Sequence, residues 1–408
     1  MILKKIRLVS LGLFLSIGNF VHCQELLPEL YDSSLVNHQI VMNGNAFQHA
    51  SSLINEVSRK IIFGGAISDE LTQRVYEKQN NYNRIGGVAN FSIAYKAASQ
   101  IFKSKPNWSW MVNFSSEAHG YAEYSGDILG LAMLGNKQFL GETVGLGNTH
   151  VQSVQFLSLG GGIHDRKTKN FITLNAILPQ SFFQLSVDRG SVSFSEDGSE
   201  IDMILNARIT EESNEYDIKG LGGALNFDFH FPFAVSESFN GVMKISGRNL
   251  GVYHLRKAVH QKVASDISYS GFQIQDFMND TEMTTLKDTL GVRESISSTT
   301  QLLPGFIQIG KMVSAHSKTK LQSTFGVRMY TNIVYRPMVY AGIHYQPFTS
   351  LSFGTQATFG GYGNFRLGLY ANYALENIMI GVGTEDILGA FLISQYGHSG
   401  LIRLAWKF

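Results

Sequence analysis

The sequence predicts an all-β fold, a transmembrane antiparallel β-barrel, and three observations support this prediction. Apolar and polar residues alternate over segments of about ten residues, as in strands with one lipid-facing and one lumen-facing side. The chain of 408 residues contains 41 glycines and 7 prolines, with 12% aromatic and only 16% charged residues. It ends in LIRLAWKF, an alternating strand whose last residue is aromatic. We interpret Leu404, Trp406 and Phe408 as the signal that barrel-assembly machinery recognises.

The N-terminus has the pattern of a secretory signal peptide. MILKKIRLVSLGLFLSIGNFVHC starts with basic residues and continues with an apolar run that ends near Val21. This run is too short to span a bilayer as a helix. We therefore predict that residues 1–23 direct export to the bacterial outer membrane and are cleaved off after Cys23. The mature chain then lacks cysteine, so we expect neither a disulfide nor a thiolate metal site.

The alternation also predicts the number of strands. Lys219–Phe231, Thr319–Thr331 and Gly363–Tyr373 each place large apolar side chains on one face and residues such as Arg, His or Asn on the other. About sixteen such runs occur, and we expect some neighbours to be halves of one bent strand. Since outer-membrane barrels usually have even strand numbers, we predict about 14 strands, within a range of about 12 to 16. A soluble β-sandwich or propeller also alternates, but the aromatic face and the terminal strand favour the membrane barrel.

The strand pattern divides the mature chain into two parts. Residues 84–408 are predicted to form the barrel, and residues 24–83 to form an N-terminal segment that is a candidate partial plug. Ser68–Asn80 in this segment predicts a short polar helix, with Ser68 as its N-cap. Ser125–Leu134 predicts a second helix, which is apolar enough to plug the barrel or to lie at the membrane interface.

Charged residues within the strands predict the lumen. A charge on the lipid face costs about 2–4 kcal/mol at mid-membrane, so these positions are assigned to the interior. Inward acids are few, whereas Asp and Glu crowd predicted extramembrane loops such as Gln273–Leu290. Either the basic interior engages anionic solutes or the acidic head of an amphiphile, or its cations pair with acids of loops or plug. The predicted lumen-lining residues are Lys96, Asp228, His230, Lys244, Arg248, Lys311, Arg328, His344, Arg366 and Arg403.

The sequence offers no motif for catalysis. It contains no G-x-S-x-G, no H-E-x-x-H and no P-loop. The closest two histidines of the mature chain, His254 and His260, have a poor spacing for a shared metal on a regular element. Asp228 and His230 share a strand face, but no nearby serine completes a triad. We expect no enzyme activity, cofactor or metal, and the net charge of +1 argues against nucleic-acid binding.

Five stretches of the chain carry a resemblance: YDSSLVNHQI, MLGNKQFLGETVGLGNTHVQSVQF, SGRNLGVYHL, GYGNFRLGL and GTEDILG. Together they resemble an uncharacterised Bacteroidota outer-membrane β-barrel family. That family is distantly similar to FadL-like transporters and to barrel subunits of the type IX secretion system. The resemblance covers nearly the whole mature chain, although His38 stands where the family would place a proline. It implies the fold and the compartment, and it supplies no functional residue.

Two functions remain open from the sequence. The first is non-enzymatic binding or passage of a hydrophobic or amphipathic small molecule in a FadL-like manner, which requires a partly apolar interior pocket. The second is a structural or accessory barrel subunit of a larger outer-membrane assembly, such as a secretion or protein-insertion complex. A sealed lumen and a platform for partners would favour the second function. The expected partners are outer-membrane lipid, barrel-assembly machinery and other outer-membrane proteins or surface lipoproteins.

Overall fold

The computed structural model describes residues 30–32, 34–35, 37–213, 217–234, 240–270, 291–315, 317 and 319–408. The predicted signal peptide, residues 1–23, and the predicted acidic loop Gln273–Leu290 lie outside the described residues.

Fourteen antiparallel strand positions close into a ring, which confirms the predicted barrel and its strand number. The ring closes where the first and last strands pair, from Gly397 opposite His49 to Lys407 opposite Gln39. Closure leaves no sheet edge in the wall, as a bilayer requires. In chain order the strands are β1 (Gln39–Ala50), β2 (Tyr82–Lys96), β3 (Trp108–Ser125), β4 (Thr149–Asp165), β5 (Phe171–Phe194), β6 (Glu200–Glu212 continued by Gly220–Ala234), β7 (Asn240–Ser270), β8 (Arg293–Leu302 continued by Phe306–Ser314), β9 (Leu321–Tyr330), β10 (Arg336–Phe348), β11 (Leu351–Gly361), β12 (Arg366–Ala374), β13 (Ile378–Thr384) and β14 (Gly397–Lys407).

Two strand positions are filled by two pieces each, as expected for runs that are halves of one bent strand. Both pieces of β6 pair with β5 and with β7, one above the other. Both pieces of β8 pair with β7, and Pro304 and Gly305 separate them. Proline lacks a backbone N–H and glycine favours bends, so this dipeptide interrupts the ladder without ending the strand position.

The barrel starts at Gln39 and not at residue 84 as predicted. Strand β1 joins β14 to β2 and is therefore part of the wall. Ile40 and Met42 are its large outward side chains, and the next two outward positions hold the small residues Gly44 and Ala46. Small side chains give a weak alternation, which explains why this strand escaped the sequence pattern.

The two ends of the barrel differ. We call the end where Gln39 meets Lys407 the terminal end, and the opposite end the far end. Connections at the terminal end include residues 349–350 and 375–377, whereas far-end connections carry helices. The helices are α1 (Asn55–Phe63), α2 (Asp69–Tyr76), α3 (Gly126–Leu134) and α4 (Ile387–Phe391), with a 3₁₀ turn at Asn136–Phe139. Two short strands, Leu30–Tyr31 and Thr143–Gly145, add to β8 and β5 respectively.

Both predicted helices are present, and serine caps both. Ser68 accepts a hydrogen bond from the Leu71 amide at 3.3 Å, and Ser125 accepts one from the Ile128 amide at 3.2 Å. Capping of this kind satisfies amides that have no partner within the first helical turn. Helix α1 was not predicted because it has no side-chain cap, and α4 was not predicted because it has only five residues, although Asp386 caps it.

The helices pack on the outer wall, so the plug expected from residues 24–83 is not formed by α1 and α2. Val57, Leu71 and Val75 of these helices cluster with Ala50 and Ile85 of the wall. Ala50 and Ile85 belong to the outward alternation, because their registers continue from outward positions near the terminal end. Leu129 and Met133 of helix α3 pack against the same cluster. Of the two predicted positions for this helix, a plug in the barrel or the membrane interface, the contact therefore favours the interface. No described helix is long and apolar enough to cross a bilayer.

Side chains alternate across the wall as the pattern predicted. The outward positions hold exposed Leu, Ile, Val and aromatic residues, and the inward positions hold most of the buried polar and charged residues. Leu404, Trp406 and Phe408 point outward and are exposed. The outer surface therefore matches the hydrocarbon of a bilayer, and the fold is that of an outer-membrane β-barrel.

Substituting Gly86 with alanine should destabilise the barrel. An added Cβ would lie 2.5 Å from ring atoms of Tyr362, which is fully buried inside the lumen. Overpacking of this kind costs about 1–3 kcal/mol. Gly400→Ala is the matched control, because a Cβ at Gly400 meets nothing within 4 Å. Urea unfolding in detergent micelles measures both variants, and equal unfolding midpoints would contradict the packing described here.

Candidate functional site

Nine of the ten predicted lumen residues lie on the inner side of the wall, but they do not form one site. Lys311 is the exception, because it pairs with Met243 and Phe325 on the outward face. Five of them line a cavity at the terminal end: Lys96, Asp228, His230, Arg248 and Arg403. Lys244 adjoins this group through Asp228. The remaining four, Lys311, Arg328, His344 and Arg366, are buried and are not among the residues that line this cavity.

The cavity has a volume of about 420 Å³ and a mixed lining. Its apolar wall comes mainly from Met111, Phe171, Phe306, Met312 and Met379. Methionine side chains adapt to irregular ligands, and a volume of a few hundred Å³ is typical of small-molecule sites. The cationic groups along the lining are Lys96, Lys169, Arg248, Arg403 and Lys407, and the acidic groups are Asp32, Glu117, Asp228 and Glu376.

Asp228 is the centre of a buried ion-pair group on the cavity wall. Its carboxylate lies 2.9 Å from the Lys244 ammonium and 2.8 Å from the Arg248 guanidinium. Strands β6 and β7 place these groups together, since their inward positions face each other across the ladder. One carboxylate shared by two cations leaves this wall of the cavity with an excess of positive charge.

Phe171, the first residue of β5, contacts cations from two other strands, Arg248 of β7 and Lys96 of β2. Its ring lies 5.0 Å from the guanidinium carbon of Arg248 and 5.6 Å from the ammonium of Lys96. Both distances are within the range of cation–π attraction. The ring therefore contacts both cations, and all three side chains line the cavity.

The N-terminal residues cross the mouth of the cavity. The Lys407 ammonium contacts the Asp32 carboxylate at 3.1 Å, and the Lys169 ammonium donates to the Ser34 carbonyl at 2.7 Å. Tyr31 packs against the ring of His230, with centroids 5.5 Å apart. These residues narrow the opening, so the N-terminal segment contributes to the lumen through its strand-like end and not through its helices.

Lys169 combines burial with a turn geometry. It follows β4 in the terminal-end turn, with φ at +61°. Burial disfavours the ammonium and lowers the pKa of Lys169 to about 8, against the opposing attraction of Asp32. Sequence reasoning missed Lys169 because no periodic pattern marks a turn. It also omitted Lys407, although period two places this residue on the same face as Arg403.

Glu117 forms the polar floor of the cavity. Its carboxylate accepts hydrogen bonds from His119 at 2.9 Å, Asn249 at 2.8 Å and Ser115 at 3.1 Å. Asn249 has φ at +53° and sits at a register shift of β7, which turns its amide toward this carboxylate. Three donors on one buried carboxylate fix its position. The sequence contained the signal, because Glu117 falls on the inward parity of β3.

Aromatic side chains fill the lumen above this floor. We call the cluster of Phe47, Phe306, Tyr330, Tyr335 and Tyr362 the aromatic septum. Tyr330 and Tyr335 have ring centroids 4.5 Å apart, and Tyr335 and Tyr362 have centroids 5.0 Å apart. All five residues are buried, so the septum separates the cavity from the far end.

Three of the other four predicted residues stabilise this packed part of the lumen. Arg328 donates to the Gln308 side chain and lies 4.4 Å from the ring centroid of Phe306. Arg366 donates to the Gly360 carbonyl at 2.9 Å, and His344 contacts the Tyr370 hydroxyl at 3.1 Å. These polar contacts correspond to the structural interpretation of the inward charges.

The prediction of an inward Lys311 was wrong. Lys311 pairs with Met243 and Phe325 and has the outward parity of Ile307 and Ile309. Its ammonium donates to the Ser323 carbonyl at 2.7 Å, and its side chain is buried. Neighbouring protein groups therefore shield this charge on the outer face.

Among the described residues, no group of three His, Cys, Asp or Glu side chains is placed to hold a metal ion.

Comparison with known proteins gives only distant structural matches. No family model and no curated protein sequence matches the chain. The toluene transporter TodX of P. putida has 7% identity and a TM-score of 0.39, over 91% of this chain and 90% of TodX. The translocator domain of the autotransporter NalP from Neisseria meningitidis has 10% identity and a TM-score of 0.33, over 99% and 96%. At these values the likeness carries no argument, and membership of the Bacteroidota family stays a prediction.

Replacing Asp228 with asparagine should destabilise the barrel strongly. The isosteric amide leaves Lys244 and Arg248 side by side without their common carboxylate. Removing one partner of a buried ion pair costs about 3 kcal/mol or more. The control is Asp188→Asn, which breaks the exposed pair with Arg208 and should cost less than about 1 kcal/mol. Denaturant unfolding in micelles compares the two, and a smaller loss at Asp228 than at Asp188 would contradict a structural ion-pair group.

Proposed function

We propose that this chain is an outer-membrane protein that binds a small amphipathic molecule with an acidic head group in the terminal-end cavity. The single observation that carries the proposal is the combination of a Met- and Phe-lined wall with five cationic side chains in one cavity of about 420 Å³. An apolar chain gains by leaving water, while an acidic head is held by charge-assisted hydrogen bonds. No catalytic residue is part of this function.

Cationic and apolar side chains lie side by side in the cavity. Lys96 and Lys407 are the last residues of β2 and β14 at the terminal-end mouth, and Arg403 lies four residues before Lys407. Met111 pairs with Lys96 and lies at the same level, whereas Phe306 belongs to the aromatic septum. An acidic head bound to the cations at the mouth would leave an apolar chain in contact with Met111 and able to extend toward Phe306. The proposed location also makes outer-membrane lipid the surrounding partner and barrel-assembly machinery a partner during biogenesis.

Binding, and not continuous passage, is the form of the FadL-like function that the lumen favours. The septum residues pack against each other across the lumen, with ring centroids about as close as packed aromatic pairs allow. A solute could pass to the far end only if these buried rings moved apart. The cavity is accordingly a blind site that is entered from the terminal end.

A second candidate function is an accessory subunit of a larger outer-membrane assembly. Two observations favour it: the filled lumen, and strands β5 to β8, which extend past the other strands at the far end. Arg293–Leu302 of β8 pairs only with β7 among the described residues and is exposed along most of its length. An edge of this kind can accept a partner strand. Purification from native membranes with a stoichiometric protein partner and without a bound amphiphile would favour this second function.

Decanoate should bind the protein in lipid nanodiscs, and Arg403→Ala should weaken this binding roughly tenfold, or about 1.4 kcal/mol, through the loss of one charge-assisted contact. Lys60→Ala is the control, because Lys60 is bound to the Ala66 carbonyl at the far end. Isothermal titration calorimetry measures both variants. Equal affinity for decanol and decanoate would refute recognition of an acidic head.

The affinity for decanoate should fall as the pH rises through about 8, because Lys169 then loses its positive charge. Below this value the ammonium is protonated and attracts the carboxylate; above it the amine is neutral. Lys169→Arg keeps its charge over the whole interval and should give a nearly constant affinity between about pH 7 and 9. A profile that stays steep in this variant would assign the pH dependence to another group.

A further inference from the structure

The far end carries an exposed apolar segment that the binding function does not use. Residues 387–393 read ILGAFLI, seven consecutive residues without a polar side chain, and they form α4 and the residues after it. Leu388, Leu392 and Ile393 are exposed, and Phe391 is 78% exposed. We call this segment the apolar shelf. A run of this kind facing water would be an aggregation site, so its exposure requires an apolar environment.

Groups of helix α1 donate hydrogen bonds to backbone carbonyls of the shelf. The Arg59 guanidinium donates to the carbonyls of Gly389 and Ala390, both at 3.2 Å. The Asn55 amide donates to the Gly389 carbonyl at 3.1 Å, and the Glu56 backbone amide donates to the Ile393 carbonyl at 2.9 Å. Inside a bilayer a backbone polar group has no water to bind, so satisfaction by protein partners is what insertion demands.

Close packing holds the shelf against the wall. An added Cβ at Gly389 would lie 1.8 Å from the Gly397 carbonyl oxygen, so only glycine permits this approach to β14. Asp386 accepts a hydrogen bond from the Gly389 amide at 2.8 Å. The shelf is therefore a fixed part of the wall's outer rim and not a loosely attached loop.

The wall below the shelf is too short to cover the apolar core of a membrane. Strand β13 has 7 residues and β12 has 9. Seven residues extend about 24 Å along a strand, and a tilt of about 40° leaves roughly 18 Å of height. The apolar band of an outer-membrane barrel is about 25 Å tall. The missing height is of the order of one helix layer. The shelf begins three residues after Thr384, the last residue of β13, and the buried Glu385 and Asp386 lie between them.

We propose that the apolar shelf is embedded in the bilayer, where lipid acyl chains cover Leu388, Phe391, Leu392 and Ile393. Continuity supports lipid as the occupant, because β13 presents the outward residues Ile378, Ile380 and Val382 on the side of the shelf, and the two acids between them, Glu385 and Asp386, are buried. The shelf completes the apolar band on the short side of the barrel. The long strands β5 to β8 need no such addition, since β7 alone has 31 residues.

Depth-sensitive fluorescence tests this proposal on the whole mature protein. The chain has a single cysteine, Cys23, which belongs to the predicted signal peptide, so the mature protein accepts single cysteine labels without a background substitution. Phe391→Cys, labelled with a small polarity-sensitive fluorophore, is reconstituted into phosphatidylcholine vesicles with brominated acyl chains. We expect bromine to quench this label as strongly as a label on Leu404→Cys, which lies on the outward face of β14.

The water-exposed reference is Asp197→Cys, in the turn between β5 and β6, which should lose no emission. Emission from Phe391→Cys that matches this reference would overturn the proposal and would assign the shelf to water or to a protein partner absent from the vesicles. Ile393→Cys is a second reporter in case the first variant folds poorly. Heat-dependent electrophoretic mobility confirms the folded state of each variant before labelling.

Discussion

The constraint on which the structure depends is that a polypeptide in hydrocarbon must satisfy every backbone N–H and C=O by itself. Pairing of β1 with β14 meets this constraint, because it converts an open sheet with two edges into a ring without any. The final strand is therefore the closure of the wall, and its outward residues Ile402, Leu404 and Trp406 belong to the lipid-facing surface. Because successive side chains of a strand point to opposite faces, each strand presents one side to lipid and the other to the lumen.

The same constraint explains the uneven height of the barrel. Backbone beyond the apolar band can bind water, so strands β5 to β8 continue freely past the far end. On the opposite side β12 and β13 stop early, and helices with internally satisfied backbone take their place. Packing of Ala50 and Ile85 against Val57, Leu71 and Val75 shows how the outward face of the wall serves as a core for these helices. The outward face of the sheet thus contacts lipid along most of its height and contacts the helices near the far end.

The lumen shows how a barrel of this size manages its interior. Inward charges are paired or hydrogen-bonded where the lumen is packed, as at Arg328 and Arg366, because an isolated buried charge is costly. Toward the terminal end the aromatic filling stops, and cations and methionines face one cavity. Phe306 marks the change from septum to cavity. It pairs with Arg248 on one side and with Tyr330 on the other, and it belongs both to the aromatic septum and to the cavity lining.

The sequence by itself determined the fold, the strand number and the inward direction of nine of the ten predicted lumen residues, since period-two alternation and the cost of charge in lipid are local properties of a strand. Lys311 points outward, because burial by neighbouring protein groups removes that cost. It also placed the N-cap at Ser68, because a serine followed by acidic residues is a local signal for the start of a helix. Only the tertiary structure decided which inward residues meet. Asp228 and Lys244 come from facing strands, Lys169 from a turn and Asp32 from the N-terminal segment. Register and closure set these contacts, and both depend on pairing between distant parts of the chain, which no local pattern records.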